Sequence, residues 1–95
     1  MRVAGAEDHH LLVYDYVEDM SERRGPHREA HLARIAAERD RGRITMAGAL
    51  GDPPRGAAIV FKGVERDTIE KFVRGDPDVE AGLVTSWVIE PWKLV

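Results

Sequence analysis

The sequence predicts an α+β fold in which a four-stranded antiparallel sheet carries two helices on one face. Segments typical of strands and of helices follow one another in the order β-α-β-β-α-β, and glycine, proline or clusters of charge separate them. A length of 95 residues fits one domain and leaves no room for a second. Residues 1–95 are therefore predicted to form a single domain, with its core at about residues 10–92.

The first half of the chain supplies a strand, a loop and a long helix. Residues His10–Val17 are rich in β-branched, aromatic and aliphatic side chains without a helical period, which favours a strand. The charges of Glu18–Arg24 indicate an exposed loop, and a helix follows over His27–Arg41 with Gly42 as its C-cap. Residues that recur at helical spacing form one stripe of that helix: Arg28, His31, Leu32, Ile35 and Ala36.

The second half supplies a hairpin, a second helix and a final strand, predicted over Arg43–Leu50, Ala57–Lys62, Glu65–Arg74 and Leu83–Glu90. Glycine and proline in the segment 51–56 predict the hairpin turn. Asp76 and Pro77 begin a short helical turn that Gly82 ends, and Pro91 limits the pairing of the last strand. This order of elements is the split-βαβ, or ferredoxin-like, arrangement.

The first and last strands carry apolar residues on both faces of the predicted sheet. In the last strand, Val84 and Val88 point to one face, while Leu83, Trp87 and Ile89 point to the other. The first strand has a similar pattern. Since a sheet with one face in water shows a cleaner alternation of apolar and polar residues, we expect a homodimer that buries the second face.

The composition narrows the classes of function. The chain has no cysteine, which excludes disulfides, thiolate zinc sites and a cysteine nucleophile and fits a reducing compartment. The formal net charge of −3 gives no general attraction to nucleic acid or to an anionic membrane. The chain start lacks the apolar core of a signal peptide, and no apolar run is long enough to span a membrane. We therefore expect a cytoplasmic protein.

Three groups of residues, taken in order, resemble the YCII-related (YciI-like) family. The first helix carries Arg-Glu-Ala-His-Leu at 28–32, the second strand region carries Gly-Arg-Ile at 42–44 and Ala-Gly-Ala-Leu at 47–50, and Asp-Pro is followed by Gly-Leu within 76–83. The family typically shows an Arg-x-x-His-Leu helix, a glycine-bounded second strand and an Asp-Pro-x-x-x-x-Gly-Leu segment. The likeness runs from about Arg28 to Trp92. Its specificity comes from the combination, because each motif alone is short.

The resemblance implies a ferredoxin-like fold assembled as a dimeric α+β barrel, which agrees with the expected homodimer. It also implies a His–Asp pair in the active site, and the matching positions are His31 and Asp76. A characterised relative is a dehydrochlorinating lyase that acts on a chlorinated hydroxyquinol, and structural cousins include muconolactone isomerase-like enzymes. The sequence departs from the family at Ala49, where many relatives have proline, which affects the local pocket wall but not the fold.

A His–Asp pair suits proton transfer, because histidine titrates near neutral pH and a carboxylate fixes its tautomer and stabilises the imidazolium. The residue pattern alone leaves structural roles open for both members. His31 could be packed in the core with its ring bonded to a backbone carbonyl. Asp76 could be the N-cap of the turn that begins at Pro77, and it could also fill both roles at once.

Further candidates, for substrate binding, are Arg28, Tyr14, Gly48 and Ser86. Arg28 lies one turn before His31 and either holds an anionic or phenolate oxygen or pairs with the acidic loop before the helix. Tyr14 is a core or dimer-face residue first and a pocket wall second. Gly48 lies in the second strand, and Ser86 is a strand hydroxyl that no nucleophile-elbow motif surrounds.

No metal or cofactor is expected. His9, His10 and His27 lack the spacing of a metal-binding motif, and the glycines match neither a P-loop nor a dinucleotide fingerprint. The sequence predicts a small-molecule enzyme in which His31 and Asp76 provide acid–base catalysis of elimination or isomerisation of a small cyclic or phenolic compound. The alternative is a non-catalytic dimer that binds a ligand or a protein partner, which the lack of a second recognisable catalytic group favours a little.

Overall fold

A computed structural model describes residues 8–95 of the chain. Within this range, the sheet consists of β1 (His9–Tyr16), β2 (Ile44–Leu50), β3 (Gly56–Lys62) and β4 (Val84–Trp92). The helices are α1 (Met20–Arg23), α2 (Gly25–Asp40), α3 (Arg66–Arg74) and α4 (Pro77–Glu80). The strands lie in the order β2-β3-β1-β4, and each pair of neighbours is antiparallel. The predicted ferredoxin-like α+β fold is confirmed.

The segment between β1 and α2 differs from its prediction. The charges of Glu18–Arg24 predict an exposed loop, but residues Met20–Arg23 form α1 and the Met20 side chain is buried. Burying a methionine stabilises a structure by about 1.5–3 kcal/mol, which is enough to anchor a short charged segment to the core. The exposed-loop prediction is wrong here because it weighed the charges and passed over this one apolar side chain.

The last strand is longer than predicted. Pairing was expected to stop before Pro91, yet β4 continues through Pro91 to Trp92. Because β4 is an edge strand of the sheet that residues 8–95 form, one of its sides has no neighbouring strand there, and a proline is tolerated where its missing N–H would face that side.

A single hydrophobic core lies between the helices and one face of the sheet. Strands β1 and β3 contribute Leu12, Tyr14, Ile59 and Phe61, and the helices contribute Ile35, Ile69, Phe72 and Val73. The long helix ends as the sequence predicts, since Gly42 follows it with a φ of 76°, a left-handed conformation that glycine adopts without strain. Across residues 8–95, no helix combines the length and apolar character needed to cross a membrane.

The opposite face of the sheet carries an apolar patch beside the polar Asp15, Ser86 and Glu90, and it carries no helix within the described chain. Leu11 and Val13 alternate with the core residues of β1 and point to this outer face, with Val60 of β3 and Val88 of β4 as their neighbours in register. Val88 is 51% exposed, and Trp92 at the end of the same strand is 43% exposed. Large apolar side chains remain in contact with solvent on this face.

Candidate active site

Two helix boundaries bring the predicted His–Asp pair together. Pro26 occupies the first turn of α2, and the inward stripe of that helix buries His31 and Ile35. Asp76 follows the end of α3 and is the N-cap of α4, with its side chain accepting a hydrogen bond from the backbone N–H of Asp78. Because α4 packs against α2, the cap and the histidine meet beneath the sheet-facing side of α2.

The His31–Asp76 contact is short and buried. Nδ1 of His31 lies 2.8 Å from Oδ1 of Asp76, and the two residues are 6% and 0% exposed. The other carboxylate oxygen of Asp76 accepts a hydrogen bond from the Tyr14 hydroxyl at 2.8 Å, and Oδ1 also accepts from the Asp78 N–H at 3.0 Å. Asp76 is therefore both a helix cap and the partner of the histidine.

The pKa values of the pair move in opposite directions. Burial lowers the pKa of His31, but the hydrogen bond that its Nδ1–H donates to Asp76 and the negative charge of Asp76 outweigh burial and hold this pKa above its usual 6.5. Burial raises the pKa of Asp76, but His31, the Tyr14 hydroxyl and the Asp78 N–H together hold it below its usual 3.8. The ionised form of the pair is therefore favoured over a wider pH range than either residue alone would show.

The tautomer of the neutral histidine follows from these contacts. Since Nδ1 faces a carboxylate, it keeps its proton, and Nε2 becomes the ring nitrogen that can accept a proton from a ligand. His31 also lines a cavity of about 340 Å³ between α2 and the sheet. A base with a fixed orientation thus stands in the wall of a space large enough for a small ring compound.

The cavity is lined by both apolar and charged residues. Ile35 of α2 and Ile59 of β3 are among its walls, and Gly48 contributes backbone from β2. Three arginines also line it: Arg24, Arg28 and Arg39. Within residues 8–95, no carboxylate pairs with any of the three, whereas other arginines do form ion pairs. The alternative role of Arg28, a salt bridge to the segment before α2, is absent among these contacts.

Asp78 is a further member of this site. Its Oδ2 lies 3.5 Å from Nδ1 of His31, the residue is 2% exposed, and it lines the cavity. His31, Asp76 and Asp78 each offer one potential metal ligand atom within 4.8 Å of the others. However, the Asp76 carboxylate already accepts three hydrogen bonds, so a cation would have to displace these donors.

The other two candidates, Tyr14 and Ser86, are not among the residues that line the cavity. Tyr14 is fully buried behind Asp76, to which it donates its hydroxyl hydrogen bond. Burial, followed by the negative charge of Asp76, raises the pKa of Tyr14 far above its usual 10, so it keeps its proton. Ser86 lies on the outer face of the sheet, where its hydroxyl donates to Asp15 at 2.7 Å. The sheet separates Ser86 from His31, and the structure does not bring the two together.

Sequence reasoning missed Asp78, Arg24, Arg39 and Met20 as members of this site. The position of Asp78 two residues after an N-cap aspartate was a usable signal, because the cap and Asp78 lie at the same end of the short helix α4, which packs against α2. Arg39 lies two turns beyond His31 on α2, and helical spacing could have linked them. Arg24 and Met20 lie in a segment that was predicted to be a loop, and no spacing in that short segment links them to the site.

Comparisons with known proteins agree with this architecture. Among curated proteins, no relative matches the sequence. The fold is similar to a solved structure of 5-chloro-2-hydroxyhydroquinone dehydrochlorinase from Burkholderia phenoliruptrix AC1100 in complex with 2,5-dihydroxybenzoquinone. The TM-score is 0.77 at 22% identity, over 92% of this chain and 95% of that chain. The model of the YCII-related domain matches residues 9–93, so the chain belongs to the YCII-related domain family.

Proposed function

We propose that this protein is a small-molecule enzyme that uses His31 and Asp76 to catalyse elimination or isomerisation of a small cyclic or phenolic compound. The observation that carries this proposal is the buried 2.8 Å contact between Nδ1 of His31 and Asp76, because His31 also lines the cavity between α2 and the sheet. A histidine held in this way is a proton-transfer group with a defined tautomer.

The chemistry assigns separate roles to the two residues. Nε2 of His31 removes a proton from a ligand carbon, and the electron pair of that C–H bond moves into the ligand, where it expels a leaving group or shifts a double bond. Asp76 does not touch the ligand and is a positioning residue, because it stabilises the imidazolium that forms. Tyr14 and the Asp78 N–H hold the Asp76 carboxylate in place during this step.

The charges around the cavity support an anionic, oxygen-bearing ligand. Arg24, Arg28 and Arg39 supply positive charge and have no carboxylate partner among residues 8–95, and guanidinium groups bind carboxylate and phenolate oxygens well. The dehydrochlorinase of similar fold acts on a chlorinated hydroxyhydroquinone, which is a compound of this class. We therefore propose a phenolic or carboxylated ring as the ligand.

We also propose that the protein works as a cytoplasmic homodimer. The outer face of the sheet exposes Val88 and Trp92 beside the apolar Leu11 and Val13, and a small domain gains stability by burying such a face. A second copy of the chain supplies a face of the same chemistry through two-fold symmetry.

The test measures proton abstraction directly. Wild-type protein is incubated in D₂O with a panel of cyclic ketones and phenols and with 5-chloro-2-hydroxyhydroquinone. NMR measures exchange of carbon-bound hydrogen, and a chloride electrode measures elimination. We expect His31→Gln to reduce the rate by about 10²–10⁴-fold, as for the loss of a general base. Arg28→Gln should raise KM more than it lowers kcat, because it removes a contact to the ligand oxygen.

The matched control is Arg41→Gln, on an exposed arginine that pairs with Glu38. This variant should have wild-type kinetics. A wild-type protein that binds 2,5-dihydroxybenzoquinone but gives no rate above buffer would favour the non-catalytic ligand-binding module. An unchanged rate in His31→Gln would remove this histidine from the mechanism.

A further inference from the structure

Asp78 is a buried carboxyl group without a sufficient set of hydrogen-bond partners. The residue is 2% exposed, and its Oδ1 is inaccessible to solvent and accepts no hydrogen bond from the described chain. Its Oδ2 is 3.5 Å from Nδ1 of His31, a nitrogen that already lies 2.8 Å from Asp76. A carboxylate in such surroundings loses its hydration without gaining equivalent contacts, which disfavours the charged form.

The charged groups around Asp78 come from three elements. Asp76 lies at the start of the same short helix, His27 and His31 lie on α2, and Arg24 precedes α2. Tyr16, on β1, is a further titratable neighbour of Asp78. Burial raises the pKa of Asp78, His31 works against this rise, and Asp76 adds to it. The net effect holds the pKa above its usual 3.8. The cations therefore do not compensate for burial beside a second carboxylate.

We propose that Asp78 is a second acid–base group of the site, which holds a proton and donates it in a hydrogen bond to an oxygen of the bound ligand. The inference rests on the proposed function and adds the group that recognises the ligand oxygen. Terminal carboxyl torsions are broad, so either oxygen of Asp78 can turn toward a ligand in the cavity that this residue lines. A neutral carboxyl used as a hydrogen-bond donor is an established catalytic device.

The step balances without a further reactant. When Nε2 of His31 takes a proton from a carbon next to a carbonyl, the C–H electron pair moves toward the carbonyl oxygen. The Asp78 proton stabilises the negative charge that builds there. If it transfers fully, the ligand becomes an enol, Asp78 becomes a carboxylate and His31 is an imidazolium. The site then holds one proton that has moved from Asp78 to the ligand oxygen and one from the ligand carbon to His31.

The first experiment reads the protonation state of Asp78 without any ligand. Protein with ¹³C-labelled aspartate carboxyls is titrated by NMR, and the Asp78 signal is assigned from its loss in Asp78→Asn. We expect this signal to titrate at higher pH than the signals of exposed aspartates. Titration of Asp78 at or below the pH of the exposed aspartates would overturn the inference, whatever the protein catalyses.

The second experiment uses 2,5-dihydroxybenzoquinone as the probe and measures its dissociation constant by calorimetry. At pH 6, Asp78→Ala should bind about tenfold more weakly, the effect of one lost hydrogen bond. Asp78→Asn should stay within about threefold, because its amide also donates. The control Glu80→Gln, an exposed acid on the same short helix, should bind like wild type.

The dissociation constants of the variants are compared at the same pH, so that the titration of the probe affects all of them equally and cancels in their ratio. The affinity of wild type relative to Asp78→Asn should fall as pH rises, because only the carboxyl loses its proton. A ratio that does not change with pH, or an Asp78→Asn variant as weak as Asp78→Ala, would overturn the inference. Failure of wild type to bind the probe would contradict the proposed ligand class, and the NMR titration would then decide the role of Asp78 alone.

Discussion

Replacing Asp76 with alanine removes the acceptor for three buried donors. The Tyr14 hydroxyl, Nδ1 of His31 and the backbone N–H of Asp78 all bond to this carboxylate, at 2.8, 2.8 and 3.0 Å. Asp76 and Tyr14 are both 0% exposed, so water does not reach the orphaned groups without a local opening. Each unsatisfied buried donor costs about 1–3 kcal/mol of unfolding free energy. The loss of the His31–Asp76 charge pair is counted within these costs and is not added to them.

Breaking a buried pair by removing one partner typically costs about 3–5 kcal/mol, and we expect Asp76→Ala to lose about 4 kcal/mol of unfolding free energy. That loss approaches the total stability of a small domain, about 5–15 kcal/mol. Asp76→Asn retains one carbonyl acceptor and the cap of α4, so its loss should be smaller, about 1–2 kcal/mol. Tyr14→Phe removes one hydrogen bond and should lose about 1 kcal/mol.

Urea unfolding at pH 7 and a fixed protein concentration measures these losses. With a slope of about 1–1.5 kcal/mol per molar urea for a domain of this size, 4 kcal/mol lowers the midpoint by about 3 M. If Asp76→Ala does not fold, the two milder variants still give the order of effects. A loss below about 1 kcal/mol in Asp76→Ala would show that the three hydrogen bonds do not hold this site together.

The same variants have a defined pH dependence. The pKa of Asp76 is held below 3.8 in the folded protein, so its contribution to stability is present above 3.8 and is lost as pH falls through the folded value. The difference between wild type and Asp76→Asn should therefore shrink in acid. A difference that stays constant down to the acid transition would contradict an ionised Asp76.

Two further predictions concern the histidine and the outer face. In Asp76→Asn, burial of His31 is no longer offset by a carboxylate at 2.8 Å, so NMR should find its pKa lower than in wild type, and an unchanged value would contradict the pair. In Val88→Lys, sedimentation at micromolar concentration should give the mass of one chain, because the charge disrupts the apolar interface. Wild type should give the mass of two chains, and so should the control Ala33→Lys, which changes an exposed residue of α2. A wild-type mass of one chain would reject the homodimer.

The order of elements could be predicted from sequence because each element carries a local signal. Residues His10–Val17 lack a helical period, the stripe of α2 recurs at helical spacing, and glycine or proline separates most elements. Met20 could not be assigned in this way. Its side chain is buried and lines the cavity between α2 and the sheet, and a four-residue helix is too short to show such a contact as a periodic pattern in the sequence.

The site was predictable only in part for a similar reason. His31 and Asp76 are 45 positions apart, and no periodicity connects them, so their pairing was implied by the family resemblance rather than by spacing. Ser86 shows the limit of strand reasoning. Its hydroxyl is of a kind that often binds substrates, but the register of β4 places Ser86 opposite Asp15 on the outer face.

Two aspartates separated by one residue acquire opposite acid–base behaviour in this fold. Asp76 occupies the cap position, where three donors converge on its carboxylate and hold its pKa down. Asp78 donates its backbone N–H to that same cap, but its own carboxyl finds no comparable set of donors in the part of the chain that the structure describes, and burial holds its pKa up. Hydrogen-bond supply, rather than residue type, thus separates a carboxyl group whose pKa is lowered from one whose pKa is raised. In the proposed mechanism, this division lets Asp76 stabilise the imidazolium while Asp78 donates a proton to the ligand oxygen.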